Sequence, residues 1–243
     1  MNAAIAVIPA RFGSTRLPGK ALAEISGVPM IVRVWRQTRK AQLLHRVLIA
    51  TDDERISNTV RNVGGEVVIT AGSHPSGTDR IAEVARRVPA DIYINVQGDQ
   101  PFVAPEDIDA VVKEMSAEPT LAMATLGAPI SDRDEWHNPN KVKIVCDRQG
   151  YALYFSRSPV PFFRDGAGVP SCALRHVAVY GYRREFLLSF GQLPQGDLER
   201  TEKLEQLRAM EHGYRIRVIG SIAPSLEVDT PEDLALANAH ARD

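Results

Sequence analysis

Cysteine is almost absent. Cys146 and Cys172 are the only two among 243 residues, too few for a disulfide framework or a cysteine-based metal site. Neither sign of charge is in excess: 29 Lys+Arg stand against 30 Asp+Glu. No global field draws the chain to nucleic acid or an anionic membrane, so any basic cluster is a local device. No uninterrupted apolar run is long enough to span a bilayer, and the first residues carry no signal-peptide pattern. Internal repeats and low-complexity tracts are missing too. A soluble, cytoplasmic protein is expected, with one substantial core and a single domain over residues 1–243.

What is present concentrates first in Ile5-Ala6-Val7-Ile8-Pro9-Ala10-Arg11-Phe12-Gly13-Ser14-Thr15-Arg16-Leu17-Pro18-Gly19-Lys20. An apolar run ends at Pro9, and a loop follows with three permanent cations, two glycines and two hydroxyls. Forked guanidinium groups and free backbone N–H groups at a strand end suit a polyanion such as a nucleoside triphosphate. The loop is not a P-loop, whose pattern is G-x-x-x-x-G-K-[ST]. Five residues separate Gly13 from Gly19, Ala21 stands where the magnesium-binding hydroxyl belongs, and Pro18 removes an N–H.

Short β-branched runs alternate with amphipathic segments through the first half. Strands are expected at Ala4–Pro9, Arg46–Thr51, Glu66–Thr70 and Asp91–Val96. Helices are expected at Met30–Ala41, from Asp53 to Gly64-Gly65, and through Ile81–Arg87. This order predicts an α/β fold with a mostly parallel central sheet and helices on both faces. Beyond Thr120 the rhythm changes. Leu121–Ile130, Val142–Cys146, Tyr151–Ser156 and Leu174–Tyr182 read as strands, taken as antiparallel additions at the sheet edge or a small subdomain. Phe162–Ser171 reads as a mobile loop and Leu198–His212 as one helix with Leu204, Leu207 and Met210 buried. Arg215–Ser221 reads as the last strand, and Thr230 caps a closing helix with Pro231 in its first turn.

Three further constellations carry chemistry. Asn95-Val96-Gln97-Gly98-Asp99 ends a buried strand in a carboxylate, on the rim of the basic loop if the strands are parallel. Such a carboxylate suits Mg²⁺, or it caps a turn. Asp229 before Thr230-Pro231 is a second candidate ligand, or an acid placed well at a helix start. His74-Pro75-Ser76-Gly77-Thr78-Asp79-Arg80 offers a close backbone approach for a base or phosphate, or an ordinary cap. In Arg175–Tyr182, strand alternation places His176, Ala178, Tyr180 and Tyr182 on one face, as a pocket wall or a satisfied interior face.

Taken together these segments resemble the 3-deoxy-manno-octulosonate (KDO) cytidylyltransferases, over nearly the whole chain. The resemblance rests on the first loop, Ala50-Thr51-Asp52, Ser76-Gly77-Thr78, Asn95–Asp99, Asn138-Pro139-Asn140, Tyr151–Arg157, Tyr180-Gly181-Tyr182, Leu204-Glu205-Gln206-Leu207-Arg208 and Val228–Leu234. It implies a nucleotide-diphospho-sugar transferase (glycosyltransferase-A-like) fold. A CTP-binding half would span about 1–120, a sugar-binding and dimerisation part about 121–221, and a closing metal-ligand loop and helix 222–243. It also implies a homodimer that joins CTP to KDO, giving CMP-KDO and pyrophosphate for lipopolysaccharide assembly. Arg11, Arg16, Lys20 and Ser14 would hold the triphosphate, with Pro9, Ala10, Ser76 and Gln97 around the cytidine. Asp99 and Asp229 would bind Mg²⁺. Arg157, Arg164, His176, Tyr180, Glu205 and Gln206 would contact the sugar acid. Arg16, Lys20, Asp99 and Asp229 would then carry the chemistry.

Three positions depart from the family's pattern. Gln100 stands where Glu usually follows Gln-Gly-Asp, Pro75 where Gln commonly precedes Ser-Gly-Thr, and Glu227 where Gly is common before Val-Asp-Thr-Pro. An 8-amino analogue of KDO or a sialic acid is therefore an alternative substrate. A nucleotide-binding regulatory protein without turnover is an alternative of another class.

Overall fold

The computed structural model describes residues 3–14, 16–164, 166, 168–222 and 226–241. Ala4–Ala10 forms β1, and a short hairpin follows from β2, Glu24–Ile25, and β3, Val28–Pro29. Then come α1 (Met30–Thr38), β4 (Arg46–Thr51), α2 (Glu54–Asn62), β5 (Glu66–Ile69), α3 (Gly77–Arg87), β6 (Ile92–Val96) and α4 (Pro105–Ala117). The second half holds β7 (Met123–Pro129), α5 (Arg133–His137), β8 (Lys143–Cys146), β9 (Ala152–Ser156), β10 (Leu174–Arg183), α6 (Arg184–Phe190), α7 (Asp197–Glu202), α8 (Gln206–Glu211), β11 (Ile216–Gly220) and α9 (Pro231–His240).

The main sheet runs β11-β7-β10-β6-β1-β4-β5, with β8 and β9 attached beside β10. β1 pairs in parallel with both β4 and β6, so their C-terminal ends share one rim. Along β1, Ala6 and Ile8 enter one apolar cluster with α1, α2 and α4, whereas Ile5 and Val7 enter another with α3, α6 and α8. Both faces are covered, which is why the run reads as continuously apolar.

Expected strand positions agree with the structure to within one or two residues, but three details differ. The antiparallel strand is not at the edge: β10 lies between β6 and β7, antiparallel to both, while β7 and β11 pair in parallel. The first helix stops at Thr38 rather than Ala41. The helix expected over 198–212 is two helices, because Lys203 takes a left-handed conformation (φ 55°) and ends α7. Arg208 ties the pieces together through a buried pair of bonds to Glu199, at 2.8 and 2.6 Å. Leu204 and Leu207 are buried as expected, and Met210 is half-buried. The segment 162–171 expected to be mobile falls partly outside the described residues.

Helix starts follow their caps. Asp53 accepts from Arg55 N–H at 2.9 Å, and Ser76 accepts from Asp79 N–H at 3.2 Å. Thr230 and Asp233 form a reciprocal capping box before α9. That box fixes the loop carrying Asp229.

Candidate active site

The parallel register of β1 and β6 brings two motifs to one rim. Gly98 follows β6 so closely packed on β1 that a Cβ there would lie 3.0 Å from the Pro9 carbonyl oxygen, a tight approach that favours glycine. The next residue, Asp99, is thereby set beside the basic loop. Lys20 Nζ donates to Asp99 Oδ2 at 2.6 Å and to Asp229 Oδ1 at 3.0 Å. Arg16 Nη2 lies 2.9 Å from the same Asp229 oxygen. The Val228 N–H donates to the Asp99 carbonyl at 2.9 Å, which docks the Asp229 loop onto the end of β6. Burial alone would lower the Lys20 pKa, but the ion pairs with Asp99 and Asp229 outweigh it and hold the ammonium above its usual range.

This cluster lies in a cleft of about 310 Å³. Every residue expected around the nucleotide lines it: Pro9, Ala10, Arg11, Ser14, Arg16, Lys20, Ser76 and Gln97, together with Asp99 and Asp229. Thr15, part of the same loop, lies outside the described residues. Pro75, one of the departures from the family pattern, also lines the cleft, as do His74 and Arg80, which the sequence marked only as parts of a motif. Arg80 is buried and pairs with Asp52 Oδ1 at 2.9 Å and Thr70 Oγ1 at 2.5 Å. His74 Nε2 lies 2.5 Å from Glu83 Oε2, which also accepts the Ala71 N–H at 2.9 Å. Helix α3 thus clamps loop 70–76 to the sheet through Arg80 and Glu83, one turn apart.

The expected sugar-acid residues do not line that cleft. On β10, the His176 and Tyr180 rings pack with centroids 5.1 Å apart, and Tyr180 stacks on Tyr182 at 5.9 Å. Strand alternation keeps these rings on one face across a register shift between Val177 and Tyr180. Gly181 between the tyrosines faces α4, where a Cβ would lie 2.7 Å from Val111 Cγ1. His176 Nε2 lies 3.0 Å from Thr125 Oγ1. Burial, aided by Arg175, pushes the imidazole down to about 3, so it stays neutral and is a poor base. Glu205 and Gln206 sit where α7 passes into α8. Thr78 Oγ1 donates to Glu205 Oε2 at 2.6 Å, and burial raises the carboxyl against the neighbouring Ser76 and Thr78 hydroxyls.

Arg157 is anchored at the end of β9, its Nε donating to the Glu202 carbonyl at 2.7 Å and its Nη1 to the Pro139 carbonyl at 3.0 Å. Lys143 is wholly buried, and its ammonium donates to the carbonyls of Asn138, Lys141 and Arg157 at 2.8, 2.6 and 2.7 Å. The Asn-Pro-Asn loop is thereby locked beside Arg157. Arg164 is exposed. Two of the three departures from the family pattern meet: Gln100 Nε2 faces Glu227 Oε1 at 3.5 Å.

No group of three or more His, Cys, Asp or Glu able to hold a metal occurs among the described residues. The two carboxylates that share Lys20 nevertheless form a hard oxygen donor pair, 26% and 30% exposed. That donor set fits a Mg²⁺ completed by phosphate oxygens and water. No helix among the described residues is long and apolar enough to cross a membrane.

The chain matches the profile of the family described as "Cytidylyltransferase" over residues 5–216. A 3-deoxy-manno-octulosonate cytidylyltransferase from Syntrophotalea carbinolica is 49% identical over 244 residues, covering 98% of each chain. One from Geobacter sulfurreducens is 49% identical over 239 residues, covering 94% of this chain and 95% of that one. Among solved structures, a CMP:2-keto-3-deoxy-manno-octonic acid synthetase complexed with CTP superposes with a TM-score of 0.93. It is 42% identical and covers 99% of this chain and 98% of its own. A strand order with one antiparallel strand inside a parallel sheet, a cationic rim holding two carboxylates, and kinship across the full length converge: the chain belongs to the 3-deoxy-manno-octulosonate cytidylyltransferase family.

Proposed function

We propose that the protein couples CTP to KDO, releasing pyrophosphate and forming CMP-KDO, at the cleft between β1, β6 and the Asp229 loop. The observation that carries this is Lys20 held between Asp99 and Asp229 on a rim whose other side chains are Arg11, Arg16 and Ser14. The anomeric hydroxyl of the sugar acid attacks the α-phosphorus of CTP. A new P–O bond forms, the α–β phosphoanhydride breaks, and the hydroxyl proton is released. Little covalent help is needed, so positioning and charge neutralisation dominate.

In this assignment Arg16 and Lys20 stabilise the pyrophosphate as negative charge develops on it. Arg11 and Ser14 hold the remaining phosphate oxygens. Pro9, Ala10, Ser76 and Gln97 enclose the cytidine. Nucleotidyltransferases generally use a divalent metal; here Asp99 and Asp229 would hold Mg²⁺, which supplies polarisation of the phosphoryl group and a lower pKa for a nearby hydroxyl. His176, held neutral, serves as part of the wall with Tyr180 rather than as a base. Arg157 and Arg164 meet the sugar carboxylate, and Glu205 and Gln206 its hydroxyls. The homodimer and the cytoplasmic setting are carried by family resemblance alone.

The test is pyrophosphate release from CTP and Mg²⁺ with KDO, its 8-amino analogue, sialic acid, or no acceptor. Release with KDO well above the others supports the assignment. Preference for the 8-amino sugar or sialic acid moves the substrate. CTP binding without release from any acceptor favours a non-catalytic nucleotide-binding protein.

A further inference from the structure

Helix α3 opens between the two halves of the site. Its N-cap, Ser76, lines the nucleotide cleft, while Thr78, in its first turn, faces the other way. Thr78 is 2% exposed, and its hydroxyl donates to Glu205 Oε2 at 2.6 Å, across 127 residues of sequence. The other carboxylate oxygen, Glu205 Oε1, is buried and has no hydrogen-bond partner among the described residues. The nearest cation, Arg208 Nη2, stands 4.0 Å away and is committed to Glu199 through the bonds that join α7 to α8. A buried acceptor without a donor costs free energy. Such an oxygen is satisfied once a donor from outside reaches it.

We infer that Thr78 is a positioning residue for the sugar acid. By holding one Glu205 oxygen it aims the other at a hydroxyl of the substrate, and it fastens that carboxylate to the helix whose cap borders the cytidine. Glu205 lies at the junction between α7 and α8, just after the left-handed Lys203, with the Ser76 hydroxyl as its other polar neighbour from α3. Loss of the Thr78 hydroxyl frees the carboxylate to turn toward Arg208, and the oxygen meant for the sugar is spent on that cation. This inference rests on the proposed contact between Glu205 and the sugar acid, and the experiment separates the two.

Steady-state pyrophosphate release is measured for wild type, T78V, T78S and E205Q, with CTP and KDO varied in turn. T78V keeps the side-chain shape without the hydroxyl; T78S keeps the hydroxyl. The expected result is a KM for KDO raised about tenfold or more in T78V, as for other hydrogen bonds to a charged group. The KM for CTP stays within about twofold, and T78S returns close to wild type. If T78V fails to fold, T78A carries the same expectation. An E205Q enzyme with unchanged KM for KDO overturns the underlying contact. An E205Q enzyme that is impaired beside a T78V enzyme that is not overturns the role of Thr78. Equal loss for CTP and KDO in T78V, unrescued by T78S, shows a merely structural hydroxyl and also overturns it.

Discussion

Replacing Lys20 by Met should strengthen metal binding while destroying turnover. In the structure one ammonium lies 2.6 Å from an Asp99 oxygen and 3.0 Å from an Asp229 oxygen, so the two carboxylates face each other across it. Two like charges about 5 Å apart repel by about 3 kcal/mol at an effective dielectric constant of ~20. Both groups are a quarter or more exposed, and solvent screening reduces this to about 1–2 kcal/mol. Without Lys20 the Arg16 guanidinium still faces Asp229, but the ion pair to Asp99 is lost, and a divalent ion takes its place between the carboxylates. The CTP-free K20M protein should therefore bind a divalent ion roughly tenfold more tightly than wild type. Turnover should drop by about 100-fold or more, because the departing pyrophosphate loses its fixed positive charge. Calorimetric titration with Mg²⁺ or Mn²⁺ in the absence of nucleotide reads the first effect, and pyrophosphate release reads the second. Equal or weaker ion binding by K20M would refute the placement of a metal on this carboxylate pair.

Other consequences follow from the surrounding scaffold. K143M removes a buried ammonium shared by three part-buried carbonyls, which should cost about 3 kcal/mol. A calorimetric scan should show a melting temperature lower by roughly 6–12 °C, and an unchanged melting point would contradict the role given to this ammonium. Burial would raise the Glu83 pKa, but the Ala71 N–H, His74 and Arg87 outweigh it and hold it below its usual value. A carboxylate with a depressed folded pKa adds stability above its unfolded pKa and loses it as pH falls through the folded one. E83Q should therefore be about 1–2 kcal/mol less stable than wild type in urea at pH 7. The gap should close as pH drops below about 4.5, and a gap that is constant with pH would contradict this.

The parallel half of the fold was legible because β1, β4 and β6 are buried on both faces and their sequences are apolar throughout. Asp53, Ser76 and Thr230 could be read as caps because each puts a short acceptor beside free N–H groups. Helix α4 went unread although Pro105 followed by Ile108, Val111, Val112 and Met115 carries a helical spacing that could have found it. The place of β10 inside the sheet depends on pairing with β7 and β6, far away in sequence, which no local pattern encodes. The break at Lys203 has no glycine or proline to announce it, and the spacing of Leu204, Leu207 and Met210 conceals it. The lining of the cleft was legible because its residues sit in contiguous motifs at strand ends. The residues proposed to meet the sugar acid were singled out one by one but not as a unit. They are drawn largely from β9, β10 and the α7–α8 junction, and the contact of Thr78 with Glu205 joins segments that look unrelated in sequence.

The central claim is that Asp99, on the rim it shares with Lys20 and Asp229, carries the transfer to the sugar acid. Asp99→Asn keeps the size of the side chain and removes its charge. Pyrophosphate release from CTP, KDO and Mg²⁺ should fall by at least about 100-fold, with CTP still bound and the melting temperature within a few degrees of wild type. Near-normal release by the folded variant would contradict the account.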